Sequence, residues 1–176
     1  MAIQRYFRDL PVVSIFVIGI WLLGAIPQAM AETINIKFFT HVMKMDVQPI
    51  PDADGHVVAF VIAEGVTMLD TGEMAWLKSV VFSDMIKGAG AVELYTTHTL
   101  PDGSAITTHT KGTVKATPAG VVTAQKWAGD IIHGTGRFQG IKGTVTTSSK
   151  RLPPEKGELM GKTIGEGTLN YTLPSK

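Results

Sequence analysis

The chain has 176 residues, with 16 Lys and Arg against 15 Asp and Glu, and it contains no Cys. A nearly neutral chain without a basic cluster binds nucleic acids and anionic membrane surfaces poorly, so we expect neither as a partner. The absence of Cys excludes disulfides, thiolate nucleophiles and metal sites with Cys ligands.

The first 31 residues have the three parts of a secretory signal peptide. A basic start precedes an apolar run at residues 12–23, and Ala29-Met30-Ala31 matches the small-residue cleavage pattern. The alternative is an uncleaved anchor, because residues 10–31 carry no charge and are nearly long enough to span a bilayer. We predict cleavage before Glu32, a periplasmic or secreted location, and no membrane attachment afterwards.

Residues 32–176 are long enough for one domain with a sizeable core, and their pattern is that of strands separated by turns. Val, Ile, Thr, Phe and Tyr dominate the strand-like segments, whereas Gly, Pro, Asp and Ser mark the joints. A short helix over residues 74–85 is an alternative to the third strand. Eight strands are predicted, at residues 34–39, 57–69, 75–82, 91–100, 105–115, 121–132, 138–148 and 163–173.

This number of regularly spaced strands favours an antiparallel barrel or a sandwich. The clearest turn signal is Pro101-Asp102-Gly103, because Pro presets the first central φ and Gly accepts the left-handed conformation that follows. It predicts a hairpin between the strands at 91–100 and 105–115.

The most distinctive part of the chain is a Gly-rich stretch at residues 133–144. It lacks the Gly-Lys-Ser/Thr ending of a phosphate loop and the spacing of a dinucleotide motif, so we expect no nucleotide cofactor. A structural role is favoured instead. Gly134 and Gly136 would permit a tight turn, and Gly140 and Gly143 would let a curved strand bend or neighbouring chains approach closely.

Two segments, GTGRFQGIKGT at 134–144 and GEGTLNYTL at 165–173, resemble the closing strands of allene oxide cyclase-like and dirigent-like barrels, including bacterial exported members. Residues 100–104, with Gly112, also resemble a hairpin of that group. The resemblance implies an all-β fold, a single eight-stranded antiparallel β-barrel with an apolar cavity. Because plant members form trimers, it also implies a homo-oligomer, a dimer or a trimer. No catalytic residue of the group aligns with this chain, so none is transferred.

Strand alternation indicates which side chains face the barrel interior. In the second strand, Glu64 shares its face with bulky apolar residues such as Phe60. In the fourth strand, His98 shares its face with Val92 and Leu94. We therefore expect Glu64 and His98 inside, as candidate catalytic residues whose perturbed pKa values would let them transfer protons. The alternative places His98 near a barrel end and Glu64 at an open edge or beside a Lys.

Aromatic residues complete the predicted ligand site. Tyr hydroxyls would orient a ligand, although a β-rich core needs aromatic residues in any case. His98 and His109 share a face only if the loop at 101–104 has four residues. Because two His without a third ligand hold zinc poorly, no metal site is predicted. The candidate ligand-binding residues are Phe60, Glu64, Tyr95, His98, Trp127 and Tyr171.

Three functions fit these observations, and we expect no cofactor for any of them. The first is an exported barrel that binds a small apolar ligand. The second is a cofactor-independent cyclase or isomerase that confines an apolar or oxidised-lipid-like substrate, since plant members of the group act on oxidised lipids or phenoxy radicals. The third is a structural, oligomerising barrel with a filled interior.

Overall fold

The computed structural model describes residues 31–115 and 125–175. Nearly all of the predicted signal peptide, and the first part of the predicted strand at 121–132, lie outside the described residues. The described chain contains eight strands and a short 3₁₀ helix, η1. They are β1 (Glu32–Pro49), β2 (His56–Leu69), β3 (Met74–Ile86), β4 (Ala89–Thr99), β5 (Ala105–Val114), β6 (Gln125–Thr135), η1 (Gly136–Phe138), β7 (Lys142–Arg151) and β8 (Thr163–Thr172).

The strands form a closed barrel in which each pairs antiparallel with its neighbour in sequence, and β1 pairs with β8 to complete the ring. Closure satisfies the backbone hydrogen bonds that the edge strands of an open sheet would leave exposed. The predicted all-β, eight-stranded antiparallel barrel is therefore confirmed. Within the described residues, no helix is long and apolar enough to cross a membrane.

Most strand positions agree with the sequence prediction, and the exceptions have physical reasons. β1 continues to Pro49, beyond its predicted end, because a bulge between Val42 and Lys44 lets its ladder with β2 continue through a polar segment. Residues 74–85 belong to strand β3, so the alternative helix is wrong. β7 begins at Lys142, later than predicted, because η1 precedes it.

The hairpin predicted at Pro101-Asp102-Gly103 joins β4 to β5. Gly103 has a φ of 81°, and its N–H donates to the Leu100 carbonyl oxygen over 3.0 Å. The Leu100 N–H donates in turn to the Ser104 carbonyl oxygen over 2.8 Å. Because L side chains are strained at positive φ, Gly suits this position and fixes the turn. The hairpin prediction is confirmed.

The hairpin and the Gly-rich stretch, which carry the family resemblance, contact each other at one end of the barrel. The Ser104 hydroxyl donates to the Asp102 carboxylate over 3.1 Å and accepts a hydrogen bond from the Arg137 backbone N–H over 3.1 Å. The Arg137 guanidinium pairs with Glu73 at 2.6 Å. The stretch therefore fastens three hairpins together, which is a structural role.

Two glycines of this stretch, Gly140 and Gly143, have different structural roles. Gly140 has a φ of 79° in the turn after η1, so its predicted place in a curved strand is wrong. Gly143 lies in β7, where a Cβ would come within 2.0 Å of the Asn170 carbonyl oxygen of β8. The close approach of neighbouring strands predicted at Gly143 is therefore present.

An apolar cluster fills the barrel interior at the end that contains η1, which we call the closed end. The opposite end contains the β3–β4 turn, and we call it the open end. A smaller buried cluster of Val92, Val114 and Trp127 lies toward the open end. The members of the larger cluster are Ile34, Ile36, Leu69, Ala75, Leu100, Ile106, Ile131, Phe138, Ile141, Val145, Leu169 and Tyr171.

Candidate functional site

A cavity of about 660 Å³ occupies the barrel interior. Inward residues of all eight strands form its wall, and most of them are apolar. At the open end the cavity reaches Lys87 and Gly88 of the β3–β4 turn and Met160 of the β7–β8 connection. Because the Lys87 side chain is largely exposed, the cavity reaches solvent at this end.

His98 lies in the cavity wall, so its predicted inward orientation is confirmed. It is 6% exposed, and its Nδ1 shares a 2.9 Å hydrogen bond with the fully buried hydroxyl of Thr67. Burial lowers the pKa of His98 to about 4, because the interior disfavours the charged imidazolium. The imidazole is therefore neutral at pH 7 and can act as a hydrogen-bonding group toward a ligand.

Hydroxyl groups accompany His98 in the wall. The hydroxyls of Ser79 and Thr96 share a 2.8 Å hydrogen bond, and the Thr108 hydroxyl donates to the Thr96 carbonyl oxygen over 3.4 Å. All three side chains belong to the lining of the cavity. They are among the polar positions of a mostly apolar wall, which is the arrangement that orients a bound small molecule.

Trp127 is buried in the wall toward the open end, where it packs with Val92 and Val114. Its indole N–H donates to the Ser149 hydroxyl over 3.2 Å. The ring has room because residue 112 is Gly; a Cβ at Gly112 would lie 2.5 Å from a ring carbon. Trp127 therefore presents a held apolar surface to the cavity and remains a candidate ligand contact.

Arg151 ends β7 on the same face as Thr147 and Ser149, and its side chain belongs to the cavity wall. Its Nε atom is buried and has no hydrogen-bond partner within the described chain. Burial also lowers the pKa of its guanidinium. A charged group whose Nε has no partner among residues 31–115 and 125–175 therefore lies at the cavity.

Glu64 lies outside the barrel, and its predicted inward orientation is wrong. It stands opposite Lys78 in the β2–β3 ladder, its carboxylate is 3.5 Å from the Lys78 ammonium, and its side chain is 44% exposed. The narrow interior accepts small residues such as Ala59 and Ala63, whereas the bulky residues of β2 cover the outer wall. The inward residues of β2 are Val57, Ala59, Val61, Ala63, Thr67 and Leu69.

Phe60 and Tyr95 also face outward, so their predicted place in the ligand site is wrong. Phe60 meets Phe82 edge to face, with ring centroids 5.4 Å apart. Tyr95 stacks on His109 with centroids 4.3 Å apart, and His109 pairs with the Glu93 carboxylate. These aromatic residues belong to the outer wall. Alternation in β2 did not reveal this for Phe60 because both faces of that strand are apolar, whereas Tyr95 has the opposite alternation to the inward His98 in β4.

Tyr171 lies inside the barrel, but at the closed end rather than in the cavity wall. Its ring contacts Phe138 edge to face at 6.4 Å, and its hydroxyl donates to the Glu32 carboxylate over 2.7 Å. Burial raises the pKa of Tyr171 to about 12, and the hydrogen bond to Glu32 adds to the shift. Tyr171 therefore joins the last strand to the first, and its predicted ligand contact is not made in the cavity.

His98 and His109 lie on opposite faces of the barrel wall, since His98 pairs with Ile106 and His109 with Tyr95 in the β4–β5 ladder. They cannot share a ligand. Within residues 31–115 and 125–175, no three His, Asp or Glu side chains come together as metal ligands.

Two residues of the site, Thr67 and Arg151, were not predicted. Thr67 has the opposite alternation to Glu64, so the expectation that Glu64 faces inward would place Thr67 on the outer face. Arg151 lies beyond the predicted end of its strand. The alternation that begins at Val145 and Thr147 would have placed Arg151 on the inner face if the strand had been extended.

Comparison with known proteins adds a likeness in fold. No protein-family model matches the chain, and no curated protein matches it. The pterocarpan synthase dirigent protein PsPTS1 has 12% identity and a TM-score of 0.50, over 85% of this chain and 99% of its own. The pterocarpan synthase dirigent protein GePTS1 has 11% identity and a TM-score of 0.51, over 98% of this chain and 100% of its own. The chain is therefore a dirigent-like eight-stranded barrel in its fold.

Proposed function

We propose that this chain is an exported barrel that binds a small, largely apolar molecule in its interior. The observation that carries the proposal is the cavity of about 660 Å³, whose mostly apolar wall also contains His98, Arg151 and several hydroxyl groups. Small-molecule sites commonly have volumes of roughly 300–1,000 Å³ and this kind of lining. The fold is similar to that of pterocarpan synthase dirigent proteins, whose name refers to a small molecule. This likeness agrees with the proposal.

The same cavity argues against a structural barrel with a filled interior. An eight-stranded barrel is just wide enough for side chains to fill it or for one small ligand to enter. In this chain, several inward positions near the middle of the wall hold small residues, namely Ala59, Ala63, Ser79 and Ser83. Small residues at these positions leave the space that a ligand needs.

A neutral, environment-sensitive dye such as Nile red tests the proposal. Ala59→Phe places a ring in the cavity, and Val58→Phe places the same ring one residue away on the outer wall. We expect Ala59→Phe to weaken dye binding by about tenfold or more, equivalent to about 1.4 kcal/mol, and Val58→Phe to leave it unchanged. Equal dye affinities for the two variants would contradict binding in the interior.

Export is part of the proposal and is supported by the sequence of the first 31 residues. Cleavage before Glu32 would leave the barrel whole, because β1 begins at Glu32. N-terminal sequencing of the exported protein should therefore start at Glu32. Recovery of the uncleaved chain in the membrane fraction would support the anchor instead.

A cofactor-independent cyclase or isomerase, similar to the allene oxide cyclases, is the alternative, and the position of His98 favours it. The neutral imidazole and the hydroxyls of Ser79 and Thr96 all line the cavity, where confinement of a reactive substrate needs few catalytic groups. An allene oxide generated from a fatty-acid hydroperoxide provides a test. An enantiomeric excess in the product formed with the wild type, and a smaller excess with His98→Gln, would support an enzyme. Racemic product with the wild type would contradict it.

Association into a homo-oligomer, a dimer or a trimer, is also proposed, and the outer wall of β2 and β3 supports it. Trp76 is 73% exposed there, Met68 and Met74 are exposed near it, and Phe82 and Ile86 are exposed farther along β3. Monomeric proteins rarely leave large contiguous apolar patches in water. A second copy packed on this wall would remove these side chains from solvent.

A further inference from the structure

Arg151 is a partly buried cation, and its Nε atom has no partner in the described parts of the chain. Its side chain is in the cavity wall where β7 ends and pairs with the start of β8, toward the open end. Its Nε atom is buried and makes no hydrogen bond there. Such a group destabilises a protein, because its N–H has lost water without gaining another acceptor.

The charges around the cavity do not compensate Arg151. Among the described residues, the cavity wall includes no Asp or Glu. Lys87, at the open end, has its own partner in Asp54, 3.0 Å away. Acidic partners accompany several other basic side chains, and Arg151 differs from these in having a buried nitrogen without an acceptor in the described chain. The paired side chains are Lys78, Lys87, Lys111, Arg137 and Lys162.

A guanidinium keeps its charge in a protein, so an unpaired one in a cavity needs a counter-ion from elsewhere. Burial of Arg151 removes part of the water that would stabilise the charge, and this lowers the pKa of the guanidinium. An anionic group on a ligand would supply both the opposite charge and an acceptor for the buried N–H. Hydrogen bonds between a guanidinium and an anion are among the strongest in proteins.

We propose that Arg151 binds the carboxylate of an otherwise apolar ligand, whose hydrocarbon part extends into the cavity. This inference rests on the proposed function and names the class of ligand. One guanidinium matches one carboxylate through two parallel hydrogen bonds, whereas a phosphate monoester would leave a negative charge uncompensated. Val81, Leu94 and Val145, which lie deeper in the wall, offer the hydrocarbon an apolar surface.

Dodecanoic acid and its methyl ester test the proposal, because they share one hydrocarbon chain and differ in charge. Displacement of Nile red at neutral pH measures the affinity of each. The wild type should bind dodecanoate about tenfold or more tightly than the ester, as expected for charge-assisted hydrogen bonds. Arg151→Gln should remove this preference by weakening the binding of dodecanoate more than that of the ester. Lys150→Gln, which removes the neighbouring exposed cation of β7, should keep it.

The outcomes separate this inference from the proposed function. Equal affinity of the wild type for both probes would overturn the role of Arg151 and leave ligand binding intact. Failure of the dye and of both probes to bind would overturn ligand binding and this inference together. If Arg151→Gln does not fold, Arg151→Lys tests the proposal instead, because it keeps the positive charge and loses the two parallel donors of the guanidinium. It should reduce the preference for dodecanoate, and an unchanged preference would overturn the proposal.

Discussion

Lowering the pH from 7 to 5 should destabilise the barrel through protonation of His98. The imidazole is buried in the cavity wall, and its Nδ1 shares a hydrogen bond with the buried Thr67 hydroxyl. Burial lowers its pKa from 6.5 to about 4. Protonation would place an imidazolium among apolar and hydroxyl groups, where the charge is poorly solvated.

The direction of the stability change follows from the pH at which the folded and the unfolded protein each bind the proton. The unfolded chain protonates His98 near pH 6.5, whereas the folded barrel resists protonation until about pH 4. The stabilisation from the neutral imidazole is therefore fully present above pH 6.5 and is lost as the pH falls toward 4. At about 1.4 kcal/mol per pKa unit the whole loss is about 3 kcal/mol, of which about 2 kcal/mol is gone at pH 5.

Urea denaturation near pH 7 and near pH 5 measures this loss in the wild type, in His98→Gln and in the control His133→Gln, whose side chain is exposed. The wild type and the control should each lose about 2 kcal/mol more unfolding free energy than His98→Gln. Comparing the change with pH, rather than the absolute stability, removes the packing effect of the substitution. Equal losses in all three proteins would refute the assignment to His98.

Three other positions give measurable outcomes. His56 should have a pKa above 6.5 in an NMR titration, because Asp52 and Asp84 accept hydrogen bonds from its protonated ring, and Asp84→Asn should lower it. Gly143→Ala should lower the unfolding free energy by more than about 1 kcal/mol in urea, because the added methyl would collide with a β8 carbonyl oxygen. Trp76→Ser should shift the sedimentation coefficient from that of an oligomer toward that of the monomer. A His56 pKa below 6.5, an undiminished stability of Gly143→Ala, or a monomeric wild type would each contradict the corresponding argument.

The barrel could be predicted because its strands are separated by turn residues with strict backbone requirements. Gly103 has the positive φ that the Pro-Asp-Gly turn demands, so the β4–β5 hairpin follows from the sequence. The end of β1 could not be predicted in this way. The bulge between Val42 and Lys44 shifts the alternation, and polar residues occupy much of the strand beyond it.

The side chains that face inward were predicted correctly for β4 and wrongly for β2. The two faces of β4 differ in polarity, whereas those of β2 do not. In β4, Leu94 faces the cavity and the charged Glu93 faces outward, so hydropathy distinguishes the two sides. In β2, Ala59 faces the cavity and Phe60 faces outward, and both are apolar. In a narrow barrel the volume of a side chain then decides which face it takes, and a pattern of apolar and polar residues does not record volume.

Thr67 and Arg151 are polar residues on the inner side of the barrel wall, and this placement bears on function. The usual pattern of a barrel filled by apolar side chains puts polar residues on the outer face, so a polar residue on the inner side departs from that pattern. Natural proteins break such local rules mainly at functional or strained sites. Thr67 has a partner inside the protein, because it shares a hydrogen bond with His98. Arg151 has no such partner within the described chain, and the anionic ligand group proposed above would supply the partner that residues 31–115 and 125–175 do not.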